Sequence, residues 1–83
     1  MDRILDAKVI KGKRWEFHLR PTRSRNFIVA KQKSMYDTTI EVKVHTMWDG
    51  TQIATPDNPR DLVEGDVLAT LKKSMLALQE VYC

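Results

Sequence analysis

Residues 4–19 have the alternating pattern of an antiparallel β-hairpin. A three-residue connection, Lys11-Gly12-Lys13, would place apolar residues opposite each other on one face: Val9 and Trp15, Ala7 and Phe17, Leu5 and Leu19. The other face would carry two cross-strand pairs of opposite charge, Lys8 with Glu16 and Asp6 with His18. A two-residue turn would instead put the charged residues of the first strand beside aromatic rings, so the pattern predicts the longer connection.

Two further strands and a second hairpin are predicted after residue 25. Residues 26–32 are β-branched and aromatic at their centre, with either Phe27 and Val29 or Ile28 and Ala30 facing inward. Residues 39–48 alternate and would bury one face, which comprises Ile40, Val42, Val44 and Trp48. Asp49-Gly50 then predicts a two-residue turn that pairs Trp48 with Thr51 and Thr46 with Ile53. The short returning strand would end at Pro56 and lie at a sheet edge.

The C-terminal part of the chain predicts one amphipathic helix. Apolar residues at 3, 4, 3, 4 spacing form a single helical stripe: Leu68, Leu71, Met75, Leu78 and Tyr82. Asn58-Pro59 and Gly65-Asp66 are both suitable starts, and a start near Asp66 is preferred. The stripe also has the spacing of a coiled-coil seam, but about two heptads are too short for an independent coiled coil. We therefore expect a monomer or a weak homodimer.

Together these elements predict an α+β fold. An antiparallel sheet of about four to five strands, arranged as a meander of hairpins, would be covered on one face by the C-terminal amphipathic helix. A single domain would span residues 1–83, with the sheet in 1–55 and the helical segment in 60–83.

The composition is typical of a small ordered domain. The 83 residues are 42% hydrophobic and include one cysteine, Cys83, which excludes an intrachain disulfide. No run approaches the roughly 20 apolar residues of a membrane span, and residues 1–10 lack the apolar core of a signal peptide. A cytoplasmic protein without membrane association is expected. Two isolated histidines and one cysteine do not have the spacing of metal ligands, so no metal or cofactor is predicted.

Positive charge is concentrated in the first part of the chain. Residues 1–34 carry ten Lys or Arg and three Asp or Glu, whereas residues 35–83 carry four and eight. The densest basic stretch, residues 20–26, is predicted to be a loop because it contains Pro21, Ser24 and Asn26. The residues predicted to contact an anionic partner are Arg20, Arg23, Arg25, Lys11, Lys13, Arg14, Lys31 and Lys33. These positions either converge on one surface or point to separate ones.

The basic residues favour a non-enzymatic binding protein that engages nucleic acid, alone or within a nucleoprotein complex. Phosphate recognition needs Lys and Arg side chains presented together, and an exposed aromatic ring adds base stacking. Trp15, Phe17 and Trp48 are assigned to the core, which leaves Tyr36 for stacking. The chain has no ribonucleoprotein-type aromatic pair, GXXG loop or helix-turn-helix pattern, so this prediction rests on composition.

Two alternative functions involve other residues. In size and organisation the chain resembles phage accessory proteins, which implies an inhibitor or adaptor of a host protein such as a defence nuclease or polymerase. It would act through the returning edge strand and an acidic cluster that also suits a helix N-terminus: Asp57, Asp61, Glu64 and Asp66. The third hypothesis is an enzyme that uses Asp6 and His18, although an exposed ion pair explains those residues more simply. No catalytic residue is assigned.

Overall fold

The computed structural model describes residues 2–33 and 39–83. Within these residues, five strands form one antiparallel sheet in the order β1-β2-β3-β4-β5, and a helix follows them. The elements are β1 (Arg3–Ile10), β2 (Lys13–Pro21), β3 (Asn26–Lys33), β4 (Thr39–Thr46), β5 (Gln52–Pro56) and α1 (Gly65–Tyr82). The predicted α+β fold, a meander of hairpins with a C-terminal helix, is confirmed.

The hydrophobic core lies between α1 and one face of the sheet, which we call the helix face. Its buried members are Trp15, Phe17, Ile28, Ala30, Val42, Val67, Leu71 and Met75. Of the two alternatives for β3, Ile28 and Ala30 face the helix, while Val29 is buried on the opposite, open face. The helix begins one residue before its predicted start. Four of the five stripe residues pack in this core, and the fifth, Tyr82, is 40% exposed at the helix end.

The predicted register of the first hairpin is wrong. Lys11 and Gly12 form a two-residue turn with φ of 51° and 77°, which is the signature of a type I′ turn, and Ile10 pairs with Lys13. Lys8 therefore lies opposite Trp15, and Asp6 opposite Phe17, rather than beside Glu16 and His18. This register is tolerated because β1 is an edge strand whose charged side chains reach water. A β-bulge between Ile4 and Asp6 then lets Leu5 pack against the core.

The second hairpin also differs from its prediction, in the opposite sense. Thr46 pairs with Gln52, so the connection is longer than the two residues predicted. The Gly50 N–H donates to the Met47 carbonyl at 2.9 Å, and only Gly50 in this turn has a positive φ, 89°. This is a type I turn followed by a glycine bulge. Asp49 Oδ1 accepts a hydrogen bond from the Thr51 N–H at 2.9 Å and stabilises the wider loop. The assignment of Trp48 to the core is consequently wrong, because this turn holds its side chain in water.

The open face is crossed by a network of ion pairs. Arg20 on β2 donates to Asp2 Oδ2 and to Glu41 Oε2 on β4, both at 2.7 Å, and Lys31 on β3 lies 2.6 Å from the same Asp2 oxygen. All four side chains are about a quarter exposed or less. Hydrogen bonds from Arg20 hold the pKa of Asp2 well below its usual range and also lower the pKa of Glu41. The network therefore ties β2, β3 and β4 together and attaches to them the residue that precedes β1.

The glycine bulge gives a prediction about stability. Gly50→Ala should lower the free energy of unfolding by about 1–2 kcal/mol, because its φ of 89° is strained for any residue with a Cβ. Gly65→Ala is the matched control. Gly65 begins α1 without a positive φ and has open space around it, so this change should be neutral or stabilise the fold by about 0.5 kcal/mol. Urea unfolding followed by circular dichroism measures both, and equal effects would contradict the assigned turn.

Removing Arg20 should destabilise the fold through the carboxylates it leaves behind. Arg20→Ala leaves Asp2 with Lys31 alone and removes both hydrogen bonds from Arg20 to Glu41. The free energy of unfolding should therefore fall by about 1–3 kcal/mol. Arg23→Ala is the control because the Arg23 side chain is exposed in a loop. Chemical denaturation should give a lower free energy of unfolding for Arg20→Ala than for Arg23→Ala. Equal values would show that the network contributes little to stability.

The same network predicts how stability depends on pH. Because the pKa values of Asp2 and Glu41 are lower in the folded chain than in the unfolded one, their stabilisation is complete above about pH 5 and is lost as the pH falls toward the folded values. The free energy of unfolding should therefore decrease on acidification. In Arg20→Ala the decrease should be smaller, since the main cause of both shifts is gone. If the free energy of unfolding falls equally steeply with pH in both proteins, Arg20 is not the cause of the lowered pKa values.

Candidate nucleic-acid interface

The eight basic residues predicted to contact an anion do not form one surface. Arg20 and Lys31 belong to the network on the open face, and Lys11 is paired at the start of α1. Lys13, Arg14 and Lys33 lie at one end of the sheet, which we call the turn end. Arg23 and Arg25 lie at the other end, the loop end, which carries residues 22–25 and 47–51. Because β2 has nine residues, the two ends are roughly 25 Å apart.

Members of the predicted acidic cluster form ion pairs with lysines in two different parts of the structure. Lys11 Nζ lies 2.8 Å from Glu64 Oε2 and also pairs with Asp66, and its hydrogen bond lowers the pKa of Asp66. Asp57 instead pairs with Lys43 on the open face at 3.1 Å. Three basic residues of the first half, Lys11, Arg20 and Lys31, are therefore paired with acids that follow them in the chain.

The turn end combines positive charge with a carboxylate. A depression of about 760 Å³ is lined by Lys13, Arg14, Lys31 and Lys33, but Glu16 lies among them. Glu16 pairs with Arg14 at 3.3 Å and with His18 at 3.1 Å, and the hydrogen bond to His18 is the main cause of its lowered pKa. This end is consequently a mixed-charge surface rather than a basic one.

His18 is not paired with Asp6. The first hairpin places Ile4 opposite His18 and Asp6 opposite Phe17, on the other face of the sheet. His18 Nε2 contacts Glu16 Oε1, while Nδ1 is buried and has no hydrogen-bond partner among the described residues. The pair on which the enzyme hypothesis was based is therefore not formed.

The loop end presents two arginines on a closed loop. The Thr22 N–H donates to the Arg25 carbonyl at 2.9 Å, and the Arg25 N–H donates to Thr22 Oγ1 at 3.1 Å. This closure holds both arginines outward. Both are exposed, and neither side chain has an ion pair or hydrogen bond within the described parts of the chain.

Trp48 lies at this same end and is 96% exposed. In an antiparallel meander, alternate connections lie at the same end of the sheet, so the 47–51 turn is the neighbour of the 22–25 loop. The centres of the two connections are two strand spacings apart, roughly 10 Å. The structure thus places Arg23 and Arg25 at the same end of the sheet as an exposed indole, the aromatic partner that the sequence analysis did not find. Tyr36, which it selected instead, lies outside the described residues.

The sequence contained a signal for this placement. Trp48-Asp49-Gly50 fits a three-residue loop with glycine at the left-handed position as well as it fits strand plus two-residue turn. In the first case, the tryptophan side chain projects from the loop. Considering both loop lengths would have identified Trp48 as an exposed aromatic residue.

Comparison of the chain with family models, curated proteins and solved structures gives no match. In the described part of the chain, no group of His, Cys, Asp and Glu side chains is arranged to hold a metal ion. No helix within residues 2–33 and 39–83 combines the length and apolar character needed to cross a membrane.

Proposed function

We propose that this protein is a cytoplasmic, non-enzymatic binding protein that engages nucleic acid, free or within a nucleoprotein complex, through its loop end. The observation that carries the proposal is that the almost fully exposed Trp48 lies in the connection next to the loop that carries Arg23 and Arg25. Most tryptophans are stabilised by burial, which the exposed indole of Trp48 lacks. Stacking on a base would bury the indole and contribute about 1–3 kcal/mol per base to the binding free energy. The arginines supply the accompanying phosphate contacts.

The charge arrangement limits the size of this interface. Arg20, Lys31 and Lys11 already contact carboxylates, so binding phosphate through them would require breaking those pairs. Binding phosphate through Arg23 and Arg25 requires no ion pair to be broken among the described residues. Two phosphate contacts to a single strand predict a slope of log K against log salt of about −1.4, whereas engagement of all eight basic residues would give about −5.6.

Neutralising the loop end should weaken binding. We expect the double variant Arg23→Ala, Arg25→Ala and the single variant Trp48→Ala each to lose roughly tenfold in affinity for short labelled oligonucleotides at low salt. The arginine variant should also flatten the salt dependence, whereas the tryptophan variant should leave it unchanged. Fluorescence anisotropy across a salt series, with single- and double-stranded DNA and RNA, measures both quantities.

The matched control is Lys72→Ala with Lys73→Ala, which removes the same charge from the middle of α1. This variant should bind nearly as tightly as the unmodified protein. Equal losses in the two double variants would indicate unspecific attraction rather than a site. If the unmodified protein fails to bind any oligonucleotide at low salt, the proposal is wrong, and the inhibitor or adaptor of a host protein becomes the favoured alternative.

A further inference from the structure

A cleft of about 600 Å³ lies beside the loop end, between the sheet and the end of α1. Its floor is apolar and is formed by Ile28, Val44 and Leu76. Thr46 and Gln52, which flank the Trp48 turn, line one side of it, and Arg25 lines another. The cleft is therefore continuous with both parts of the proposed nucleic-acid interface.

The rim of the cleft carries three side-chain amides and one carboxylate, Glu80, which can accept hydrogen bonds from the amino groups of a base. Asn26, Gln52 and Gln79 come from three different elements and converge on it, and each amide offers both a donor and an acceptor. The Tyr82 ring forms part of the wall and lies 5.9 Å from the Arg3 guanidinium, a cation–π contact that holds the ring in place. An apolar floor with amides at its edge complements a flat heterocycle that has hydrogen-bonding groups on its perimeter.

We infer that this cleft receives one unstacked base of a single-stranded nucleic acid, while a neighbouring base stacks on Trp48 and Arg25 holds the phosphate between them. The inference rests on the proposed function and specifies its substrate class. A duplex keeps its base edges paired and its bases stacked, so it cannot fill the cleft without unpairing. The protein should therefore prefer single strands to the matched duplex.

Cys83 makes the cleft directly testable. It is the single cysteine of the chain, its thiol is exposed, and it lines the cleft. Alkylation of the full chain by an uncharged maleimide should slow in the presence of a short single strand of thymidines or adenosines. At an oligonucleotide concentration ten times the dissociation constant, the rate should fall about tenfold, in proportion to the free fraction. The matched duplex at equal occupancy should not protect the thiol.

Trp48 fluorescence separates failure of this inference from failure of the proposed function. Trp15 is buried and Trp48 exposed, so quenching by a bound strand reports on Trp48, and Trp48→Phe removes the signal. Quenching without protection of Cys83 would overturn the base-binding cleft and leave the loop-end interface standing. Absence of both Trp48 quenching and Cys83 protection would overturn the base-binding cleft and the loop-end interface together.

A second set of variants tests the cleft without thiol chemistry. Asn26→Ala with Gln79→Ala removes two rim amides and should lower single-strand affinity about tenfold, with little change in duplex binding. Thermal unfolding should show that the variant remains folded, and its Trp48 quenching at saturation should be preserved. Unchanged affinity for every single strand, DNA and RNA, would contradict base recognition in the cleft.

Discussion

One helix covers only one face of this five-stranded sheet, and the rest of the structure depends on how the uncovered face is kept stable in water. The solution is a set of charged side chains that pair across strands, with Arg20 between Asp2 and Glu41 at its centre. On this face Val29, which lies opposite His18 and Lys43, is completely buried without a second hydrophobic layer. Because the partners come from different strands, the pairs also reinforce the order of the meander.

The same pairing determines where an anionic partner can bind. The uneven charge of the sequence suggests a broad basic surface, but four of the eight predicted contact residues are paired with carboxylates within the molecule. They are Arg20 and Lys31 on the open face, Arg14 at the turn end and Lys11 at the start of α1. Positive charge without a partner among the described residues persists at Arg23 and Arg25, where an aromatic side chain is also free. Placement, rather than the amount of charge, therefore supports the loop end as the interface.

The fold was predictable from sequence because alternation and helical spacing are local patterns. The registers were not, because a hairpin loop that is one residue longer or shorter turns every following side chain to the other face. Lys11-Gly12 and Asp49-Gly50 each fit two loop lengths, and both were assigned the wrong one. Trp48 was misplaced for this reason. Arg20 was placed in a loop because of Pro21, Ser24 and Asn26, but it lies in β2. Its carboxylate partners are 18 and 21 residues away, beyond any local pattern.

The bulge at Leu5 has a consequence for how the molecule behaves at high concentration. Exposed sheet edges are templates on which further strands can add, and this sheet has two. The bulge breaks the regular spacing of donors and acceptors along β1, and the five-residue β5 ends in Pro56, which has no N–H to donate. Both edges are thereby blunted against edge-to-edge assembly, so a chain with little hydrophobic core is protected from growing into larger sheets.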